Sequence, residues 1–366
     1  MQKSYDIAVI FGGVSSENEV SVITGTMVCN VLKKGGKSVL PVYIDHGGRF
    51  YAGEELSDVT IYKNAGYTNS PACGFSDGGV VLFNKRKKPK QYAPCGAVIN
   101  CCHGGVGEGG AVAGLCDILN IPFASANLFE SAAFMDKYYT KLVLESLGVR
   151  TAKYAYSRDI TGAIEGARAL GYPVIVKPAT LGSSIGISKC ADEEQLKKAL
   201  ETAFELDGGV LIEEYFSPIK EINCAVYCAN GAPITSECEE VSSDGALLSY
   251  DDKYCGGGKR KFPADIDKEV AEEIKNTTAH VYLALNMRGI VRFDYIIYGG
   301  QSYLSEINTV PGSLSQYLLS DGYKSFYNVL CGVIAQAQAD FSARKHRRII
   351  STGILNSIKP NVNIKK

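Results

Sequence analysis

The sequence predicts a protein of mixed α/β and α+β class that opens with a Rossmann-like unit and divides into two or three domains. The first observation is length, because 366 residues exceed what one hydrophobic core usually holds. The second is an apolar strand, a glycine-rich turn and a helix at the start of the chain. The third is a pair of strand-like runs joined by two glycines near its end.

The opening unit covers the first 36 residues. Residues 6–11 predict a buried strand, residues 12–17 form the turn, and the helix that follows ends at residues 35–36, both glycine. Glu17 is either an acid that complements the helix dipole or a ligand for a substrate ammonium at a strand end. The turn lacks GxGxxG spacing, so a dinucleotide site is only weakly indicated. The predicted buried stripe of the helix is Val20, Ile23, Met27 and Val31.

Residues 46–95 predict an insertion of short strands, with the basic run at 85–90 as an exposed hairpin turn. Residues 97–101 predict another buried strand. The glycine-rich run from His103 to Gly110 follows it and allows the backbone to approach a ligand closely.

Two lysines and a glycine-serine loop mark the middle of the chain. Lys137 lies in a predicted helix that ends at Gly148, and Lys177 ends an apolar strand that starts at residue 173. The loop at residues 180–186 follows directly. An ammonium group beside loop N–H and hydroxyl groups suits phosphate, although such a loop is also a common turn and no Walker A lysine closes it.

The strand pair near the end of the chain carries polar side chains at alternate positions. Side chains two apart on a strand share a face, so Arg292 lies beside Asp294, and Glu306 lies beside Asn308. If the two faces coincide across the turn at 299–300, two carboxylates, an amide oxygen and a guanidinium meet. Such oxygen donors suit Mg²⁺. The alternative is a hairpin with a solvated polar face.

The remaining segments predict ordinary elements. Strands are expected at 210–216 and from residue 221, and the glycines at 256–258 predict a mobile loop. Asp267 is expected to cap a helix that ends near Leu285. A last helix is expected at 323–345, followed by a basic tail without an assigned role.

Composition argues against several classes of function. The chain has 38 basic and 39 acidic residues and a net charge of −1, which predicts neither a nucleic-acid nor a membrane partner. No apolar run reaches the length of a membrane span and no signal-peptide core is visible, so we expect a cytoplasmic protein. The twelve cysteines lie mostly in apolar segments without a CxxC pair, which favours reduced, buried thiols over a zinc site.

Eight motifs together resemble the D-alanine–D-alanine ligase family of the ATP-grasp superfamily. In the family's order they are FGGVSSENEVS, HGGVGEGG, MDK, VKPATLGSSIGISK, LIEEY, YDDKY, RFD and EINTVPG. The resemblance implies a Rossmann-like N-terminal domain at residues 1–127 and a two-part ATP-grasp fold. The central subdomain would span residues 128–213, and the C-terminal subdomain with the metal site and the basic tail would span 214–366. It also implies a homodimer.

The resemblance implies an ATP-dependent ligase that joins D-alanine to a second D-amino acid, most simply D-alanine, for peptidoglycan precursor synthesis. Its substrates would be amino acids and ATP, with Mg²⁺ or Mn²⁺. The first carboxylate would take the γ-phosphoryl group, and the second amino acid's amine would attack the acyl phosphate. One alternative is an ATP-grasp ligase retuned to a different amino acid or peptide as its second substrate. Another is an ATP-binding module without catalysis.

Carried onto this sequence, the family's ATP and metal contacts fall on residues of suitable chemistry. The phosphate contacts would be Lys137, Lys177, Ser183 and Ser184. The other ATP contacts would be Glu213, Glu214 and Phe216 at the adenine, Glu221 at the ribose, and Lys253. The metal ligands would be Asp294, Glu306 and Asn308.

The substrate contacts are implied in the same way. Glu17 would hold the first substrate's ammonium and would connect through Ser183 to Tyr254, and the mobile loop with Lys253 would close over the substrates. His103 would lie near the first carboxylate. The resemblance assigns the oxyanion site to Arg292 and to the N–H of Gly312. In the family a tyrosine at position 254 accompanies peptide products, so we expect an amine nucleophile.

Three departures from the family lie at substrate positions. Asn18 stands where the family has His or Arg, and Gly109 stands where it has Asp. Residues 313–318 differ from the apolar residue, Thr and Ser that follow Pro-Gly in the family, where a later serine helps to hold the second carboxylate. Ser315 is the expected substitute, although this segment also reads simply as the start of a helix. The second substrate therefore stays open.

Overall fold

The N-terminal part pairs a mostly parallel sheet with a small antiparallel one. The computed structural model describes residues 3–182, 184–242, 259–345 and 352–357. The first elements are β1 (Ile7–Gly12), α1 (Asn18–Lys34), β2 (Val39–Ile44), β3 (Phe50–Ala52), β4 (Cys73–Ser76), β5 (Gly79–Phe83), β6 (Pro89–Pro94), β7 (Val98–Asn100) and α2 (Val112–Ile118). Strand β1 pairs in parallel with β2 and β7 in the order β3-β2-β1-β7, and β4–β6 form the second sheet. The basic run is the exposed turn between β5 and β6, as predicted.

Helix α1 forms where predicted, and its predicted apolar stripe is buried in part, because Val31 lies in the core whereas Ile23 does not. Ile23 is 58% exposed, whereas Thr24, Val28 and Leu32 are buried. The reason is that small residues let the helix approach the sheet: a Cβ at Gly25 would lie 2.2 Å from the Phe11 ring. The buried face therefore also includes Thr24 and Gly25, which an apolar pattern does not select.

The central part is an antiparallel sheet flanked by helices. Its elements are α3 (Leu128–Met135), α4 (Lys137–Ser146), β8 (Tyr154–Ser157), α5 (Ile160–Leu170), β9 (Val174–Pro178), β10 (Ser188–Cys190), α6 (Glu193–Leu206) and β11 (Val210–Glu214). The strand order is β10-β9-β11-β8. Helix α4 begins directly after Asp136, whose side chain accepts bonds from the N–H groups of Tyr138 and Tyr139. Strands β9 and β11 are neighbours in this sheet, so Lys177 on β9 and Glu213 on β11 lie on adjacent strands.

The C-terminal part is a larger antiparallel sheet. Its elements are β12 (Lys220–Ala229), β13 (Ala232–Thr235), β14 (Glu239–Ser242), β15 (Lys259–Lys261), α7 (Lys268–Ala284), β16 (Val291–Tyr298), β17 (Gln301–Asn308), α8 (Gln316–Leu319) and α9 (Tyr323–Lys345). The strand order is β15-β14-β12-β16-β17, with β13 on β12. Asp267 is the N-terminal cap residue of α7, as predicted: its backbone carbonyl accepts the N–H of Ala271, while its side chain makes no capping hydrogen bond.

Helix α9 packs far from its neighbours in sequence. Phe326, Leu330 and Val333 lie in one buried cluster with Ile7 and Val9 of β1. The last long helix therefore covers a face of the first sheet and ties the chain's two ends together. Of the helices that the structure describes, none is long and apolar enough to cross a membrane.

Candidate functional site

The hairpin of β16 and β17 forms as predicted, and its two polar faces coincide. Arg292 pairs with Asn308 across the strands, and Asp294 pairs with Glu306. Both turn glycines adopt positive φ, +58° and +76°, which favours glycine at residues 299–300. The glycines set the position of the turn, and a one-residue shift of register between Asp294 and Tyr295 then brings Asp294 opposite Glu306 instead of Ser305.

The polar row extends beyond the hairpin across four strands. Glu239 on β14 lies opposite Asn223 on β12, which lies opposite Asp294, and Asp294 lies opposite Glu306. The Asn223 amide donates to Glu239 Oε2 at 3.2 Å. Asn223, Asp294 and Glu306 line one large cavity between this sheet, the central sheet and the N-terminal part.

Arg292 is held in one orientation by a two-point ion pair. Its Nε lies 2.7 Å from Asp294 Oδ1, and its Nη2 lies 2.8 Å from Oδ2. Its Nη1 donates to the Tyr317 hydroxyl at 3.4 Å. A fork with fixed donors suits the stabilisation of a developing oxyanion.

The predicted metal ligands have the donor chemistry of a hard cation. Asn308 Nδ2 donates to Asp294 Oδ2 at 2.9 Å, so the amide and this carboxylate are in contact. Carboxylate and amide oxygens are what Mg²⁺ takes from proteins. Among the described residues, no three His, Cys, Asp or Glu side chains group as a metal site, so the set rests on two carboxylates and one amide.

Lys141, Glu213 and Lys177 form a buried triad, and the last two belong to the cavity wall. Glu213 bonds Lys177 and lies 2.5 Å from Lys141 Nζ. Burial alone would raise the pKa of Glu213, but the two ammonium groups outweigh it and lower that pKa to about 2. One carboxylate between two cations leaves the triad with one positive charge at the cavity wall. The Glu213 carboxylate, implied at the adenine, is thus engaged by two lysines.

Replacing Lys141 with methionine is expected to destabilise the protein and to weaken ATP binding. The substitution removes one partner from a carboxylate that is 3% exposed. Losing one partner of a buried ion pair lowers the free energy of unfolding by up to about 3–5 kcal/mol. Lys177 would then be the remaining ammonium group beside Glu213, so the positive charge of the triad is lost. Urea unfolding at pH 7 measures the first effect, and the KM for ATP measures the second.

The matched control breaks an exposed pair. Lys198 lies 3.0 Å from Glu194 on α6, with both side chains largely exposed. Lys198→Met should change the free energy of unfolding by less than about 1 kcal/mol. Equal effects of the two substitutions would contradict the role of the triad.

His103 is clamped between α1 and the segment after β17. Its Nδ1 lies 2.7 Å from the Val310 carbonyl, and its Nε2 lies 2.7 Å from Thr24 Oγ1. A carbonyl only accepts, so Nδ1 carries the proton and Thr24 donates to Nε2. Thr24 in turn accepts the N–H of Ser313 at 3.1 Å. Burial lowers the pKa of His103, consistent with a neutral ring.

Glu108 is a cavity residue that sequence reasoning did not select. Its carboxylate accepts bonds from the N–H of Gly104 at 2.7 Å and of Val310 at 3.3 Å. Burial raises the pKa of Glu108 to about 7, and the carboxylate of Glu17 contributes in the same direction. Glu108 therefore joins the glycine-rich loop to the segment after β17. Its place inside HGGVGEGG was the available signal.

Most predicted site residues meet in this one cavity. Its wall includes Glu17, His103, Lys137, Lys177, Ser184, Glu213, Glu221, Arg292, Asp294, Glu306 and Asn308. Lys137 Nζ also donates to the carbonyl of Leu181 at 2.6 Å, at the start of the glycine-serine loop. The predicted residues Ser183, Lys253 and Tyr254 lie outside the described residues.

Four predicted residues are not part of the wall that the described residues form: Glu214, Phe216, Gly312 and Ser315. Glu214 accepts the N–H of Lys153 at 2.7 Å, and Phe216 stacks on Tyr298. Ser315 is fully buried, and its hydroxyl has no hydrogen-bond partner among the described residues.

Tyr317, and not Ser315, is the polar residue of the 313–318 segment that faces the cavity. Residues 313–315 have φ values of +51°, +46° and +51°, a left-handed run that non-glycine residues seldom adopt. This run separates the segment from an ordinary helix start and brings Tyr317 to the wall. Nothing in the residue types signals three such positions in succession.

Asn18 and Gly109, the two other departures from the family pattern, have different surroundings. Asn18 is buried in the first turn, where its amide donates to the Gly13 carbonyl at 2.7 Å and accepts from Tyr43 at 3.0 Å. A Cβ at Gly109 would meet Met135 Cγ at 3.8 Å, so the position has room for a side chain.

Two family models match most of the chain. One described as "D-ala D-ala ligase N-terminus" matches residues 6–126, and one described as "D-ala D-ala ligase C-terminus" matches residues 143–322. The D-alanine--D-alanine ligase of Thermosipho melanesiensis is 32% identical over 350 residues, covering 93% of this chain and 95% of the relative. That of Campylobacter jejuni serotype O:6 is 33% identical over 332 residues, covering 90% and 93%.

Solved structures agree with these matches. The D-alanine–D-alanine ligase of Helicobacter pylori is 28% identical, with a TM-score of 0.73 over 90% of this chain and 98% of that chain. The VanG D-Ala:D-Ser ligase of Enterococcus faecalis is 25% identical, with a TM-score of 0.76 over 91% and 100%.

Proposed function

Because this chain belongs to the D-alanine–D-alanine ligase family, we propose that it joins D-alanine to a second D-amino acid, most simply another D-alanine. It is an ATP-using carboxylate–amine ligase that forms a peptide bond, in support of peptidoglycan precursor synthesis. The observation that carries the proposal is one cavity whose wall holds the cations of Lys137, Lys177 and Arg292 together with the carboxylates of Asp294 and Glu306.

The first half-reaction activates a carboxylate. An oxygen of the first D-alanine attacks the γ-phosphorus of ATP, the bond to the β-phosphate oxygen breaks, and ADP leaves. Lys137 and Lys177 neutralise the phosphates at the cavity wall, and Glu17 holds the substrate's ammonium. This transfer depends mainly on positioning and charge neutralisation.

The second half-reaction forms the peptide bond. The amine of the second amino acid attacks the acyl carbon, and phosphate leaves. Arg292, held in place by Asp294, stabilises the oxyanion that develops on the acyl oxygen. Enclosure of the site in the cavity keeps water from the acyl phosphate.

The metal, the location and the assembly are parts of the same proposal. Asp294, Glu306 and Asn308 would hold Mg²⁺ or Mn²⁺, which neutralises charge on the phosphates. Use of ATP and eleven described cysteines, all without disulfides, support a cytoplasmic location. Homodimerisation is inferred from the family alone. The proposed domains are 1–127, 128–213 and 214–366.

Release of phosphate that requires D-alanine tests the proposal. We expect ADP and phosphate to appear in equal amounts, and only when ATP, Mg²⁺ and D-alanine are all present. An ATP-binding module without catalysis would bind ATP but release no phosphate in response to D-alanine, which would contradict the proposal.

A second amino acid other than D-alanine is the runner-up. Tyr317 at the cavity wall is the observation that favours it, because the family has a serine in the corresponding segment. A D-Ala:D-Ser ligase is among the similar structures, so D-serine belongs among the acceptors to be tested.

A further inference from the structure

Arg260, on the edge strand β15, is a cavity residue that the proposed mechanism does not use. Its side chain is 48% exposed and lines the cavity together with Arg292 and Tyr317. The next residue, Lys261, bonds Asp265 outside the cavity. Alternation of side chains on a strand explains why one cation points inward and its neighbour outward.

Arg260 is placed by stacking on Tyr317. Its guanidinium carbon lies 5.0 Å from the centre of the Tyr317 ring, a distance typical of cation–π contacts. The ring itself is fixed at the other side, because Arg292 Nη1 donates to its hydroxyl at 3.4 Å. The order Arg260, Tyr317, Arg292 therefore runs from the edge strand to the oxyanion site.

The guanidinium of Arg260 keeps donors for a ligand. Its ion pair with Glu239 spans 3.7 Å, which is longer than a hydrogen bond. Glu239 is itself 2% exposed and accepts a bond from Asn223. Arg292, by contrast, already donates hydrogen bonds from its Nε and Nη2 to the carboxylate of Asp294. Of the two guanidinium groups beside Tyr317, that of Arg260 is therefore the more accessible to a ligand.

The second amino acid must lie on this side, and it brings a carboxylate. Its amine has to reach the acyl carbon beside Arg292, so its carboxylate lies one carbon further away. Guanidinium groups bind carboxylates through two parallel hydrogen bonds. Ser315 offers no alternative, since it is fully buried.

We propose that Arg260, stacked on Tyr317, binds the carboxylate of the second amino acid. This assignment rests on the proposed function and names the residues that select its second substrate. Tyr317 acts through Arg260 as a positioning residue, while the guanidinium makes the contact.

The test compares two acceptors, D-alanine and D-alaninamide, which lacks the carboxylate. In the unmodified protein we expect a higher kcat/KM for D-alanine. Arg260→Gln should reduce the ratio of the two values about 10- to 100-fold, as expected for a lost hydrogen bond to a charged group. Arg260→Lys should restore part of the ratio, because it keeps the charge but loses the fork. Lys261→Gln is the matched control and should leave the ratio unchanged.

Tyr317 variants test the stacking. Tyr317→Phe keeps the ring and should retain the preference for D-alanine, whereas Tyr317→Leu should lose part of it. If Arg260→Gln lowers kcat/KM equally for both acceptors, or for neither, Arg260 does not bind the carboxylate.

Trapping with hydroxylamine separates this inference from the proposed function. Hydroxylamine converts D-alanyl phosphate into a hydroxamate, so in large excess over D-alanine it competes with the second amino acid and reports the first half-reaction. Hydroxamate formation by Arg260→Gln together with a reduced ratio supports the assignment. Hydroxamate formation with an unchanged ratio overturns the assignment alone, and absence of hydroxamate in the unmodified protein contradicts the proposed function and the assignment with it.

Discussion

Replacing Arg292 with alanine is expected to lower kcat by about 10²–10³ and to leave the KM for ATP nearly unchanged. The guanidinium is held by Asp294 at 2.7 and 2.8 Å and by the Tyr317 hydroxyl, and it lies at the cavity wall, so it is oriented before the substrate binds. A donor that is already oriented contributes most where charge develops, which is the oxyanion of the second half-reaction. Steady-state kinetics at saturating D-alanine measure both values.

Two controls accompany this variant. Arg292→Lys keeps a charge without the two-point contact and should recover only part of kcat. Arg150→Ala removes an exposed partner of Glu273 outside the cavity and should have little effect on turnover. A rise in the KM for ATP with kcat unchanged would make Arg292 a phosphate clamp instead.

Replacing Glu306 with glutamine is expected to raise the Mg²⁺ concentration for half-maximal turnover about 10- to 100-fold. Asp294 and Glu306 face each other across the strands, and they are the two carboxylates of the proposed set. The substitution keeps the size of the side chain and removes one charge, so the cation loses a charged ligand.

The measurement is turnover against Mg²⁺ at a fixed ATP concentration, from limiting to excess metal. Glu201→Gln, on an exposed position of α6, is the control and should not shift the curve. An unchanged Mg²⁺ dependence in Glu306→Gln would remove Glu306 from the metal set.

The hairpin shows how much of the site could be predicted from local sequence. Alternating side chains and the glycines at 299–300 predict a hairpin, which the structure confirms, but a shift of register between Asp294 and Tyr295 decides that Asp294 lies opposite Glu306. The strand–turn–helix opening and the exposed turn between β5 and β6 followed from equally local signals. Such predictions succeed because each depends on a few neighbouring residues.

Contacts between residues far apart in the chain limit how much of the site can be predicted from the sequence. Lys141 has no motif of its own, and only Glu213, on a strand after two further helices, makes it a buried cation. The packing of α9 on the first sheet and the clamp on His103 likewise join distant parts of the chain. Residue type alone favours Ser315 as the contact to the second carboxylate. The left-handed run at 313–315 instead brings Tyr317 to the cavity wall.

Mass detection of the ligated product tests the central claim most directly. The unmodified protein is incubated with ATP, Mg²⁺ and pairs of acceptors that include D-alanine, D-serine, L-alanine and D-lactate at neutral pH. We expect a dipeptide that begins with D-alanine and carries a second D-amino acid, with one ADP formed per peptide bond. Hydrolysis of ATP without any ligated product, or efficient formation of D-alanyl-D-lactate in place of a dipeptide, would contradict the account.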